Sequence, residues 1–251
     1  MNELDPEHHP LAQPDAGSQT PPALGSDPGG RGAEHGVRGG TGAAGDDSRD
    51  TRRDRATRFV ETTQGILSYA QLAPLLAERV AAAETEIYRE FFSARPLDES
   101  LLLDLHARIC GDLVPEWAGR WRSIEVTVGK LQPPPPYSVA GHMRDYALDL
   151  QTRWQDASQT VSDLTLELLS YAEGRFLSIH PFQDFNGRTI RLFLLELLRR
   201  LDLPRVVLAV ESTADRAVYF AALESADQRD FRPLIEIWRQ RFSGSQPVQP
   251  A

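Results

Sequence analysis

Apolar residues from Phe59 onward recur mostly at intervals of three and four, the period of a helix with one buried face. Phe59, Ile66, Leu67 and Leu72 open a pattern that continues through Leu75, Leu76 and Val80, and it predicts a helical N-terminal unit reaching about Ala94. Asp98 stands where a helix N-cap belongs, with Leu101, Leu102, Leu103 and Leu105 after it and Gly111 near the expected end. Leu164, Leu168, Leu169, Ala172, Phe176 and Ile179 predict a helix that stops at His180-Pro181, because proline disfavours helical backbone in the residue before it. Over residues 190–201 the apolar positions run nearly all round, from Ile190, Leu192 and Phe193 to Leu197 and Leu198, so this helix should be central and buried. Two more helices, over about 213–226 and 230–241, complete the pattern.

The breaks between these runs carry their own signals. Between Trp121 and Gly129 the β-branched Ile124, Val126 and Val128 alternate with polar residues, which predicts one arm of a small hairpin or flap. The four prolines 133–136 form a stiff extended connector, and Ser138 can cap the helix that follows. The first fifty residues hold ten of the 18 glycines and almost no periodic apolar pattern, so they cannot offset the entropy of ordering. The expected organisation is a disordered tail over 1–50, a helical N-terminal segment over 51–96, a core over 97–242 and a frayed end over 243–251. The fold class is all-α with a small β-hairpin flap.

Composition narrows the function. A net charge of −9 disfavours broad attraction to nucleic acid or anionic lipid, so neither is expected as a partner. No run reaches the roughly 18 apolar residues that a membrane helix needs. A single cysteine, Cys110, cannot make an intrachain disulfide, in keeping with a reducing, cytoplasmic location, and beside Ile109 and Leu113 it reads as core filler.

Candidate chemistry is concentrated in His180-Pro-Phe-Gln-Asp-Phe-Asn-Gly-Arg-Thr-Ile-Arg191, a loop and first turn between the two most apolar helices. A helix N-terminus offers free N–H groups and a positive dipole end, which favour phosphate. Arg188 and Arg191, three apart, project from one side of that turn and can grip phosphate oxygens. Asp184 supplies a hard oxygen ligand, suited to Mg²⁺ carried on a polyphosphate. His180, an imidazole whose ordinary pKa lies near neutrality, can take the proton of an incoming hydroxyl.

This stretch resembles the signature of the Fic family, H-P-F-x-D/E-G-N-G-R-x-x-R, at every position but one, since Phe185 stands where the family has glycine. The resemblance runs from about Leu105 to Trp238. Ala118-Gly119-Arg120-Trp121-Arg122 is similar to the lead-in of the family's target-binding flap, and Tyr219–Leu223 and Phe231–Ile235 to its closing helices. It implies a Fic-like helical bundle that acts as a protein adenylyltransferase. AMP would pass from ATP to a Ser, Thr or Tyr hydroxyl of a target protein, or of the chain itself, with release of pyrophosphate. It further implies that His180 is the base, that Phe182 anchors the loop and that Asp184 holds Mg²⁺. Asn186 and the Gly187 amide would cradle the phosphates, and Arg188 and Arg191 would bind the β- and γ-phosphates. A side chain at position 185 must turn away from the phosphate surface. Relatives with other residues there include some that transfer phosphocholine, so UMP, phosphocholine or an idle nucleotide-binding scaffold stand as alternatives.

Thr57-Arg-Phe-Val-Glu61 matches the S/T-x-x-x-E core of the family's inhibitory helix, and Glu61-Thr-Thr-Gln64 is similar to the E-G-T-Q run of members with an N-terminal brake. Glu61 would then pair with Arg191. Neither the target protein nor the oligomeric state follows from the sequence.

Overall fold

The computed structural model of the chain, which describes residues 59–209 and 212–244, opens on a two-stranded antiparallel hairpin where the apolar spacing predicted helix. Strand β1 (Phe59–Thr62) pairs with β2 (Gly65–Ser68) in the register Phe59–Ser68, Val60–Leu67, Glu61–Ile66 and Thr62–Gly65. The cause is local. Val60, Thr62, Thr63 and Ile66 are β-branched and stiff at χ1, and Gly65 takes φ 99°, a turn value open to glycine. The turn is tied to the body of the molecule by Thr63, whose N–H donates to Leu113 O at 2.9 Å and whose hydroxyl donates to Asp112 O at 2.6 Å. The expected tail over 1–50 and the last residues of the frayed end lie outside the described residues.

Helix α1 (Tyr69–Tyr88) starts at Ser68 because of a reciprocal capping box: the serine hydroxyl accepts from Gln71 N–H and the glutamine side chain accepts from Ser68 N–H. The helix stops at Tyr88, short of the expected Ala94. Asp98 caps α2 (Glu99–Cys110) as expected, accepting from Ser100 N–H at 2.9 Å and Leu101 N–H at 3.3 Å. The segment 121–135 is extended, and the expected flap arm is reduced to one antiparallel bridge, Val128–Leu131. After a single 3-10 turn (Pro136–Ser138) comes α3 (Val139–Asp156). Ser138 precedes it without capping it, since its hydroxyl donates back to Pro135 O at 2.9 Å.

Helices α4 (Asp163–Ile179) and α5 (Asn186–Arg200) form the hub: α4 packs against α3, α5 and two later helices, α6 (Thr213–Asp227) and α7 (Arg232–Gly244), while α5 packs against α1, α2 and α4. Gly174 permits the close approach of α6 and α7, because a Cβ there would meet Ala226 Cβ at 2.9 Å and Leu234 Cδ1 at 2.7 Å. Both hub helices bury an acid, and each acid is answered by arginine. Glu173 accepts from the Tyr219 hydroxyl at 2.7 Å and from Arg241 at 2.7 Å, and Glu196 accepts from Arg199 and Arg200 at 2.8 and 2.6 Å. The loop 180–185 therefore sits between the two most buried helices of the bundle. Among the described residues no helix is long and apolar enough to cross a membrane.

Candidate active site

The loop begins with a left-handed residue and ends with another. His180 closes α4 at φ 49° and ψ 60°, its N–H donating to Phe176 O at 2.9 Å, and Phe185 precedes α5 at φ 60° and ψ 12°. Between them Asn186 folds the loop on itself. Its Oδ1 accepts from Phe182 N–H at 2.9 Å and its Nδ2 donates to Phe182 O at 2.8 Å, in a side chain that is buried. The side-chain amide thus shapes the loop, and the backbone N–H of Asn186 stands at the start of the following helix. Phe182 is the anchor expected of it, fully buried and stacked on the imidazole of His106 at 3.8 Å and 6° between planes.

His106 is a site residue that sequence reasoning missed. Gly119 N–H donates to its Nδ1 at 3.0 Å, which leaves Nε2 to carry the proton and donate to Asp184 O at 3.2 Å. Both ring nitrogens are satisfied in the neutral form, and burial lowers the His106 pKa to about 4. The ring joins α2, the Gly119 turn and the loop as a fixed, uncharged clamp.

Asp184 is half-buried, and its Oδ1 accepts from Phe185 N–H at 2.7 Å and from the Tyr69 hydroxyl at 2.6 Å. Tyr69, the first residue of α1, was also missed, since nothing in its sequence context marks it. Phe185, the departure from the family pattern, does turn its ring away from the helix terminus. The ring is buried and lies parallel to Trp117 (5.7 Å, 8°), with Tyr69 at 6.4 Å and the Arg188 guanidinium carbon 5.9 Å from its centroid. A left-handed backbone costs a non-glycine residue about 1–2 kcal/mol, and burial of a phenyl ring returns more than that.

No side chain caps α5. Gly187 lies at its open end, exposed, and a Cβ there would meet nothing within 4 Å. Arg188, half-buried, and Arg191, exposed, follow on the first two turns. An uncapped N-terminus beside two guanidinium groups and an open glycine face is a place for a polyanion. Asp184 stands next to it as a carboxylate ligand. Among the described residues no three His, Cys, Asp or Glu side chains converge to hold a metal, so an ion here would share Asp184 with phosphate and water oxygens, the manner in which Mg²⁺ is commonly held.

Glu61 does not lie on a helix. It sits on β1, exposed, and lines a cleft of about 450 Å³ together with Thr63, Val114, Trp117 and Gln183 of the loop. The expected inhibitory helix over Thr57–Glu61 is corrected to a strand from Phe59; Thr57 and Arg58 lie outside the described residues.

Residues 96–198 match the Fic/DOC family model. Over 134 residues the chain is 34% identical to the protein adenylyltransferase fic-1 of Caenorhabditis elegans, a stretch that covers 53% of this chain and 25% of that protein. The chain thus spans about a quarter of the length of the curated relatives it matches. In fold it is similar to the N-terminal FIC domain of Bep8 from Bartonella sp. 1-1C, with a TM-score of 0.62 at 16% identity over 75% of this chain and 91% of that one. It is also similar to BepC from Bartonella tribocorum with bound AMPPNP, with a TM-score of 0.57 at 15% identity over 74% and 93%.

Proposed function

We propose that the chain, whose residues 96–198 match the Fic/DOC family model, is a protein adenylyltransferase that moves AMP from ATP to a hydroxyl of a protein. The observation that carries this reading is the uncapped N-terminus of α5, with the open face of Gly187 and the side chains of Arg188 and Arg191, set one short rigid loop away from an imidazole.

In this reading the target hydroxyl gives its proton to the His180 imidazole as its oxygen bonds to the α-phosphorus. The bond from that phosphorus to the bridging oxygen breaks, and pyrophosphate leaves. Arg188 and Arg191 hold the departing oxygens, and the Gly187 N–H points at the phosphate chain from the helix end. Mg²⁺ on Asp184 would neutralise charge on the polyphosphate. The chain's own part is positioning: two left-handed residues and the Asn186–Phe182 pair fix the loop, so no reorganisation is needed at the moment of transfer. Cys110 is a free, buried thiol, and burial pushes its pKa up to about 12, which keeps it out of the chemistry.

Glu61 belongs in the proposal as a brake acting from a strand. It lines a cleft with Gln183, the loop residue beside Asp184, and in this reading its carboxylate pairs with Arg191. Intact-mass spectrometry of the chain and added candidate targets after incubation with ATP and Mg²⁺ tests both points. One AMP adduct is expected on a protein, absent with His180→Ala and increased with Glu61→Gln. A phosphocholine or UMP adduct from the matching donor, with none from ATP, would replace the donor while keeping the site. No adduct from any donor would leave the idle scaffold, and an unchanged yield with Glu61→Gln would remove the brake.

A further inference from the structure

Arg122 is the most deeply engaged cation near the loop. It is 3% exposed, and among the described residues no carboxylate pairs with it. Its guanidinium is spread over backbone carbonyls. Nε donates to His180 O at 2.8 Å, Nη1 to Ile124 O at 3.1 Å, and Nη2 to Pro134 O at 2.5 Å and to Ile179 O at 3.4 Å. Its own N–H donates to Pro181 O at 2.9 Å. Burial lowers its pKa, against a smaller raising by Glu125, yet a guanidinium keeps its charge.

These acceptors belong to two places. Ile179 and His180 are the last carbonyls of α4, which have no amide partner further along the helix and carry its negative dipole end. Ile124 and Pro134 lie at the two ends of the flap. One planar fork therefore holds both ends of the flap against the helix terminus that presents His180.

We propose that Arg122 is a positioning residue that couples the flap to His180, so that a target segment laid on the flap and the imidazole that deprotonates its hydroxyl are held as one unit. The inference rests on the adenylyl-transfer reading for its kinetic consequence, but its physical core stands without it. His180 occupies a left-handed conformation that is uncommon for a residue with a Cβ, and Arg122 supplies two of the bonds around it, to His180 O and Pro181 O. Lysine could not replace the fork, because a single ammonium cannot reach carbonyls that lie in different directions.

The test compares the full chain with Arg122→Gln and Arg122→Lys by hydrogen–deuterium exchange, by binding of a non-hydrolysable ATP analogue, and by transfer kinetics. In Arg122→Gln, the bonded flap amides of Val128 and Leu131 and the amides of His180 and Phe182 should exchange faster together, by about tenfold, as lost bonds of ordinary strength imply. Analogue Kd should change less than about twofold, because the anion site lies at the other end of the loop. The kcat of transfer should fall ~100-fold with KM for the target changed much less, the scale expected when a reacting group is displaced by about an ångström. Arg122→Lys should recover part of each effect, and it carries the same readouts should the glutamine variant fail to fold. Faster exchange in the flap alone, with His180 and kcat unmoved, would overturn the coupling, as would a uniform rise across the whole chain. Absence of transfer in the unmodified chain would defeat the adenylyl-transfer reading only, and the exchange result would still decide the role of Arg122.

Discussion

Phe185 shows what a single departure from a family pattern requires of its neighbours. Its φ of 60° is strained for any residue with a Cβ, and its ring is held by Trp117, Tyr69 and Arg188. Two substitutions separate these contributions. Phe185→Ala should lose about 3 kcal/mol or more in urea unfolding, having kept the strain and lost the ring. Phe185→Gly should be the milder change by about 1 kcal/mol, since glycine accepts the same backbone without strain. Equal losses in the two variants would mean that the conformation at 185 carries no cost. His106 gives a pH dependence with a definite sign. Burial lowers its pKa from 6.5 to about 4, so between those values the unfolded chain binds the proton and the folded chain does not. Its contribution is fully present above pH 6.5 and falls as pH falls through that window, by about 3 kcal/mol at the acid end. His106→Gln should flatten this part of the stability profile, and a profile unchanged by the substitution would contradict the clamp. At this scale the sequence was legible where residue order alone fixes geometry, as for His180, Asp184 and the two arginines. Tyr69 and His106 were not legible, because their partner Asp184 lies 115 and 78 residues away and only the fold brings them to it.

The elements repeat that division. Helices α2, α4, α6 and α7 lie close to where apolar spacing and capping residues placed them, because the signals for those helices are contained within a turn or two of chain. The hairpin before α1 was read as helix, since Phe59, Ile66 and Leu67 fit a helical interval although Phe59 and Ile66 are exposed on the strands. The β-branched cluster and Gly65 were the better guide. The flap over 121–135 shows the opposite error, an alternating pattern that pairs only at Val128–Leu131 because carbonyls at its ends are taken by Arg122. The start of α5 carries the sharpest prediction at this scale. Gly187→Ala meets no steric obstacle, so the fold should stay within about 1 kcal/mol of its stability and can gain slightly from helix propensity. A methyl group on the open face should nevertheless weaken binding of an ATP analogue by about tenfold or more, the loss of roughly one good hydrogen bond to an anion. Unchanged affinity, measured by calorimetry, would move the phosphate site away from the α5 terminus.

Across the described residues, α4 and α5 form the densely packed hub, and the hairpin with Glu61, the Trp117 turn and the flap lie around it. The bundle was legible in the sequence because its core helices announce themselves locally. The support around the loop was not, because it is assembled from β1, α1, α2 and the 111–122 segment at once. The net charge of −9 leaves the cationic α5 terminus as a local feature in an acidic molecule, so polyphosphate attraction should be short-ranged and weakened by salt only modestly. Adenylyl transfer breaks the bond between the α-phosphorus of ATP and its bridging oxygen, and labelled nucleotide tests this. The chain is incubated with Mg²⁺ and either α- or γ-labelled ATP, with His180→Ala alongside and candidate targets present. Protein-bound label is expected from the α-position only, with the γ-label recovered in pyrophosphate and the α-label lost in His180→Ala. Protein-bound label from the γ-position, or α-label that survives the loss of His180, would contradict it.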